Sequence, residues 1–257
     1  MHTDRNILTK ARLIVVKLGT GILSTHAGGL DTRRIARLAS QVATLRKKSC
    51  HLVLVSSGAI GAGMGRLKLK KRPTRISDLQ ACAAIGQNLL MASYERAFTR
   101  LGITVAQILL THDDMRHAER RNNARHTLLN LIRRGVVPVV NENDAVSFAE
   151  IKFGDNDQLA AMVHELIHAH ACVILSNIDG FIVGSNRVLP TIKKITAEIE
   201  RHAGDSNSHR SVGGMRSKLL AARRVLATGR PFVIANGQTP NILPRLFSGA
   251  PLGTIFL

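Results

Sequence analysis

Residues 13–21 read Leu13-Ile14-Val15-Val16-Lys17-Leu18-Gly19-Thr20-Gly21. A short β-branched run that ends at a glycine is the pattern of a buried strand closed by a turn. The pattern repeats on moving outward from it. Residues 32–48 place Ile35, Leu38, Ala39, Val42 and Leu45 at helical spacing, with a basic outer face. Residues 51–55 (HLVLV) predict a second strand, closed by Ser56-Ser57-Gly58. Then come a long helix over 76–100 with an interruption expected near Gly86, a strand over 103–110 and a helix over 119–134. Residues 136–140 (VVPVV) read as a strand in which Pro138 marks an irregular or non-donating position. Past a polar stretch, the reading is helix over 158–169, strand over 172–175, hairpin over 180–189, helix over 218–228, strand over 232–235 and a last strand over 253–257. Strands alternating with helices predict an α/β fold, a mainly parallel sheet with helices on both faces. No repeat or low-complexity linker divides residues 1–257, so one domain is expected.

Composition narrows the function classes. Lys and Arg number 36 against 17 Asp and Glu, a formal charge of +19 on 257 residues. Such a surplus attracts polyanions or phosphorylated and carboxylate ligands. Single-strand nucleic-acid binding also uses aromatic platforms; here there is no Trp, one Tyr and seven Phe. The basic residues are dispersed, so any nucleic-acid affinity is expected to be non-specific. No apolar stretch has the ~20 residues of a membrane helix, and the first ten residues lack a signal-peptide core. Cys50, Cys82 and Cys172 lie far apart in apolar surroundings and read as buried thiols of a cytoplasmic protein.

In open α/β sheets ligands sit at the carboxyl ends of strands, and the informative residues of this chain follow strands. Lys17 stands at a strand end before Gly19 and Gly21, where small residues let backbone N–H groups approach an anion; a plain strand-turn reading is equally available. Ser56-Ser57-Gly58-Ala59-Ile60-Gly61-Ala62-Gly63 is a second anion-pocket candidate, with a flexible turn as the bland alternative. Asn141-Glu142-Asn143-Asp144 and Asp155-Asn156-Asp157 crowd carboxylates and amides behind an apolar strand. They suit an ammonium group, a positioned lysine or assistance to Mg²⁺, and their spacing excludes an EF-hand. Val212-Gly213-Gly214-Met215-Arg216-Ser217-Lys218 enters a helix in a manner that suits phosphate oxygens.

Taken in order, VVKLGT, SSGAIGAG, AAIGQ, NENDAV, EIKFGDND, GGMRSK and LGTIF resemble the glutamate 5-kinases of the amino acid kinase family, over nearly the whole chain. The resemblance implies a three-layer αβα sandwich, about 1–170 on the glutamate side and about 171–257 on the nucleotide side, that phosphorylates the side-chain carboxylate of L-glutamate with ATP and Mg²⁺. It implies that Lys17 and Lys218 flank the transferring phosphoryl group and that Asp157 orients them. Ser57, Asp144, Asn156 and Asp155 would bind glutamate. Lys17, Gly19, Ser176, Asn177, Val212, Gly213, Gly214, Met215, Arg216, Ser217 and Lys218 would hold ATP. Glu142 and Lys152 would form a supporting ion pair, and no protein ligand to a metal is implied beyond Mg²⁺ carried by ATP. A homo-oligomer is implied, no membrane partner is, and feedback inhibition by proline stays open.

The chain departs from the family pattern in places. Ser176-Asn177 stands where Thr-Asp is usual, the stretch after Asp179 is short, and Val212 replaces a hydroxyl residue. Arg121 and Asn122 stand where apolar residues are commoner, and the C-terminal PUA domain carried by many members is not expected here. The departures leave a second reading, a non-catalytic homologue that binds anions or nucleic acid. A third comes from His164-Glu165-Leu166-Ile167-His168, a literal H-E-x-x-H on a predicted helix that would make a zinc hydrolase. The extended zinc-protease pattern fails at Ala171 and Ile174, so the helix is expected to be structural.

Overall fold

The computed structural model describes residues 3–25, 29–146, 156–184, 187–204 and 214–257. After a short helix α1 (Asn6–Thr9) the chain enters β1 (Leu13–Leu18), then α2 (Thr20–Leu23), α3 (Thr32–Arg46), β2 (His51–Ser56), α4 (Ala59–Arg66) and α5 (Ile76–Thr99). It continues through β3 (Val105–Leu110), α6 (His112–Arg116), α7 (Ala118–Arg133), β4 (Val137–Glu142), α8 (Asn156–Leu166), β5 (Ala171–Ser176), β6 (Phe181–Val183) and β7 (Arg187–Leu189). β8 (Thr191–Ile192), α9 (Ala197–Gly204), α10 (Met215–Leu226), β9 (Phe232–Asn236), α11 (Ile242–Leu246) and β10 (Thr254–Phe256) complete it.

The main sheet runs β3-β4-β2-β1-β5-β9-β10-β8, parallel except where β10 pairs antiparallel with β9. β1 lies between β2 and β5, in register Leu18↔Ser56 and Leu18↔Leu175, so three strand ends line up side by side. Alternation along β1 builds two cores. Ile14, Val16 and Leu18 join Ile35 and Val42 of α3 and Leu90, Tyr94 and Phe98 of α5 on one face. Val15 joins Leu128 of α7, Leu159 and Val163 of α8 and Leu219 and Val225 of α10 on the other. The expected three-layer arrangement is thus present.

One local expectation needs correction. α5 is not interrupted at Gly86. A Cβ there would lie 1.7 Å from the carbonyl oxygen of Ala59, and one on Gly63 would lie 1.9 Å from that of Cys82. These glycines let α4 and α5 cross backbone to backbone, which holds the turn after β2 in place. Gly86→Ala should therefore cost roughly 3 kcal/mol or more, read as a fall in Tm on the order of 10 °C; an unchanged Tm would show that the two helices are free to part. Pro138 is the non-donating position expected within β4, which continues through it. Val137 donates to the carbonyl of Thr104 on the β3 side, so the donor that proline lacks faces β2. The β2–β4 ladder begins only at Leu54↔Val139, one residue later.

α8 starts at Asn156 and α10 at Met215, two and three residues before their expected starts at 158 and 218. Asn156, Asp157 and Lys218 are therefore in first turns. α1, α2, α6, β8, α9 and α11 escaped the periodicity reading; α4 (AIGAGMGR), readable only as a possible helix start after Ser57, holds three glycines and little helix propensity.

Candidate active site

Three strand ends and two helix starts bring the charged residues together. Lys17, on the last turn of pleat in β1, is buried, as is Lys218 in the first turn of α10. Both reach one carboxylate: Lys17 Nζ lies 2.6 Å from Asp157 Oδ1 and Lys218 Nζ 3.0 Å from Asp157 Oδ2. Burial alone would raise the Asp157 carboxyl, but the two ammonium groups more than offset it and hold it below the ordinary carboxylate value. Among the described residues, two buried ammonium groups thus face one buried carboxylate. Gln158 Nε2 donates to the carbonyl of Ser217 at 3.0 Å, which ties α8 to α10 one residue beyond the carboxylate.

An amide cluster adjoins this centre. Asn156 Nδ2 donates to Ser57 Oγ at 3.0 Å and to Asn141 Oδ1 at 3.1 Å, whereas the buried Asn156 Oδ1 has no partner. Ser57 follows β2, and Gly58 after it takes φ +102° to start α4. Asp144 is half-buried, and its carboxyl is pushed up to about 7 by burial and by the Glu142 charge, with Arg72 opposing. It lines a cavity of about 310 Å³ with Glu142, Asn143, Gln87, Gln107 and Ala59.

The nucleotide-side expectations are partly assembled. Gly19 N–H donates to Leu175 O at 3.1 Å, and Gly21 approaches the Asn177 side chain, so the segment after β1 packs against the end of β5. Ser176 Oγ donates to Asn177 Oδ1 at 3.3 Å. Gly214 caps α10, with Met215, Arg216 and Ser217 in its first turn. Lys152, Asp155, Val212 and Gly213 lie outside the described residues. A partner that the sequence reading missed is His112, whose Nδ1 lies 3.2 Å from Glu142 Oε2. Its place as first residue of α6, behind β3, was the signal available.

The H-E-x-x-H motif is not one helical face. α8 ends at Leu166, and His168 takes φ +51° beyond it. Glu165 pairs with Arg224 at 2.6 Å, and His164 is buried with neither ring nitrogen bonded. Among the described residues no group of three or more His, Cys, Asp or Glu is placed to hold a metal. Burial, then Arg230, lowers the His164 pKa to about 4. The unfolded ring titrates near its ordinary 6.5, so the unfolded state takes up the proton first and stability is lost as pH falls from there toward 4. His164→Leu should remove that loss, roughly 3 kcal/mol at full extent. Denaturant midpoints of protein and variant that keep a constant separation from pH 7 to 4 would refute the buried neutral ring.

A mainly parallel sheet that brings two buried lysines onto one carboxylate, beside amides with an unfilled acceptor, has the charge and the hydrogen-bonding groups that phosphoryl transfer calls for. The Amino acid kinase family model matches residues 12–236. The glutamate 5-kinase of Geobacter metallireducens is 48% identical over 98% of this chain and 69% of its own length. That of Burkholderia multivorans is 46% identical over 97% and 69%. In structure the fold is similar to carbamate kinase from Giardia lamblia bound to AMP-PNP, with TM-score 0.66, 16% identity and 97% and 99% of the two chains covered. UMP kinase from Bacillus anthracis gives TM-score 0.64 at 14% identity over 96% of each. The chain belongs to the amino acid kinase family and, within it, to the glutamate 5-kinases.

Proposed function

We propose that this chain transfers the γ-phosphoryl group of ATP to the side-chain carboxylate of L-glutamate, giving L-glutamyl 5-phosphate and ADP, the first step of proline biosynthesis. The observation that carries the reading is the Lys17–Asp157–Lys218 bridge beside Asn156 and Ser57. The attacking carboxylate is already ionised at neutral pH, so the reaction needs no general base. It needs two anions held in line and the charge that develops between them neutralised. Lys17 and Lys218 meet that requirement, and Asp157 sets their spacing.

Substrate binding falls to Ser57, Asn156 and Asp144, with Asp155 beside them in sequence. Asn156 Oδ1 and the Asp144 carboxylate are acceptors suited to an α-ammonium group. On the other side the α10 N-terminus and the loops at Gly19 and Ser176-Asn177 take the triphosphate and nucleoside. Mg²⁺ carried on the ATP phosphates supplies further charge neutralisation. The donor set fits that assignment, since both Asp157 oxygens are engaged by lysines. The three cysteines are free and buried, which suits a reducing cytoplasm, and no helix of the described residues is long and apolar enough to cross a membrane.

The test is ATP-dependent formation of γ-glutamyl hydroxamate from glutamate and hydroxylamine, which traps the acyl phosphate. Product with glutamate and little with N-acetylglutamate supports the reading, because a neutral amide leaves the Asp144 charge without a partner. Equal rates with both would assign a different acceptor.

A further inference from the structure

We infer that Gln87, on α5, is a positioning residue: by accepting from Asn141 Nδ2 it steadies Asn141, whose Oδ1 sets which way the Asn156 amide faces and so presents Asn156 Oδ1 to the substrate ammonium. The inference rests on the glutamate-binding reading above.

An amide side chain has two ends of nearly equal shape, so its orientation must be imposed by its partners. Here it is imposed along a directed chain. The backbone N–H of Glu142 can only donate, and it donates to Asn141 Oδ1 at 2.9 Å. The other end of Asn141 is therefore the donor, and its Nδ2 meets Gln87 Oε1 at 2.8 Å. That choice turns Gln87 Nε2 outward to Gln107 Oε1 at 3.0 Å, on the exposed face of β3. On the inner side Asn141 Oδ1 also accepts from Asn156 Nδ2 at 3.1 Å, which leaves Asn156 Oδ1 buried and unpartnered.

Every link is satisfied except the last, the buried Oδ1 of the residue whose Nδ2 bonds Ser57. A buried acceptor with no partner is costly, and a ligand N–H would remove the cost. Without an acceptor at position 87, the Nδ2 of Asn141, a residue only 1% exposed, would itself be orphaned. Asn141 would then keep its sense, set by the Glu142 N–H, but lose the anchor on its donor end, and its Oδ1 would hold the Asn156 amide less firmly.

The test compares full-length Gln87→Met, which keeps the length and neutrality of the side chain, with Gln87→Glu, which keeps an acceptor for Asn141. Hydroxamate formation is followed against glutamate and against ATP. Gln87→Met should raise the glutamate KM about tenfold, with kcat and the ATP KM within about twofold. Gln87→Glu should return the glutamate KM to within about threefold of the original. A residue that merely filled space would tolerate Met and give no such split. A Gln87→Met variant with the original glutamate KM overturns the inference; absence of product from the unaltered protein overturns instead the function on which it rests. Should Gln87→Met fail to fold, as read by its Tm, Gln107→Met at the exposed end should still raise the glutamate KM about threefold. An unchanged KM in that variant overturns the inference equally.

Discussion

Lys218→Ala should lower turnover by about three orders of magnitude while the glutamate KM moves less than about threefold. Removing one preorganised donor from developing charge in a water-poor site costs roughly 3–4 kcal/mol of transition-state stabilisation. Lys218 is well placed to be such a donor: it is buried, it is fixed by Asp157 at 3.0 Å, and it sits in the first turn of α10. Lys17→Ala should behave alike, because the two ammonium groups occupy the two oxygens of one carboxylate. Arg is no substitute at either position, since its planar fork cannot take the place of a compact charge. Each variant also leaves Asp157 with one counter-ion, so its carboxyl should titrate at higher pH than in the parent. Single-turnover rates at saturating ATP and glutamate are the decisive measurement, with Tm recorded alongside. Rates within tenfold of the parent in either folded variant would remove that lysine from the phosphoryl path.

Much of this centre was legible in the sequence because of where its residues fall along the chain. Lys17 and Asn141 stand near the ends of β1 and β4 and Ser57 directly follows β2, and a parallel sheet brings such ends together regardless of their separation in sequence. The layer order was legible for the same reason: alternation in β1 assigns Val15 and Val16 to opposite faces. What periodicity could not supply was contact between backbones. Gly86 reads as a helix breaker on propensity, yet its lack of a side chain is what the α4–α5 crossing requires. Nor could it reveal partners chosen by tertiary structure. Glu142 was expected beside Lys152, whose position lies outside the described residues, and the structure adds His112 from the far end of β3. The H-E-x-x-H alternative, already set aside on its extended pattern, fails also through helix length. α8 ends at Leu166, three residues short of its expected end, and a left-handed His168 removes the i, i+4 geometry on which the motif depends.

Asp144→Asn should raise the glutamate KM about 100-fold and abolish a pH dependence that the parent shows near neutrality. Burial, then Glu142, raises the Asp144 carboxyl to about 7, while Arg72 only partly opposes them. Below that pH the carboxyl is protonated and offers an ammonium no charge, so kcat/KM for glutamate should fall as pH drops through about 7. The stability term has the opposite sense. A carboxyl raised on folding binds its proton more tightly in the native state, so Asp144 erodes stability as pH rises from its ordinary 3.8 toward 7. A bound ammonium repairs this by pairing with the exposed charge, and losing one partner of such a pair costs roughly 3 kcal/mol. Glutamate should therefore raise Tm more at pH 8 than at pH 6 in the parent, and equally at both in the Asn variant. A parent profile of kcat/KM that is flat between pH 6 and 8, or an Asn variant with the parent's glutamate KM, would place the ammonium on Asn156 alone and leave Asp144 as a feature of the cavity wall.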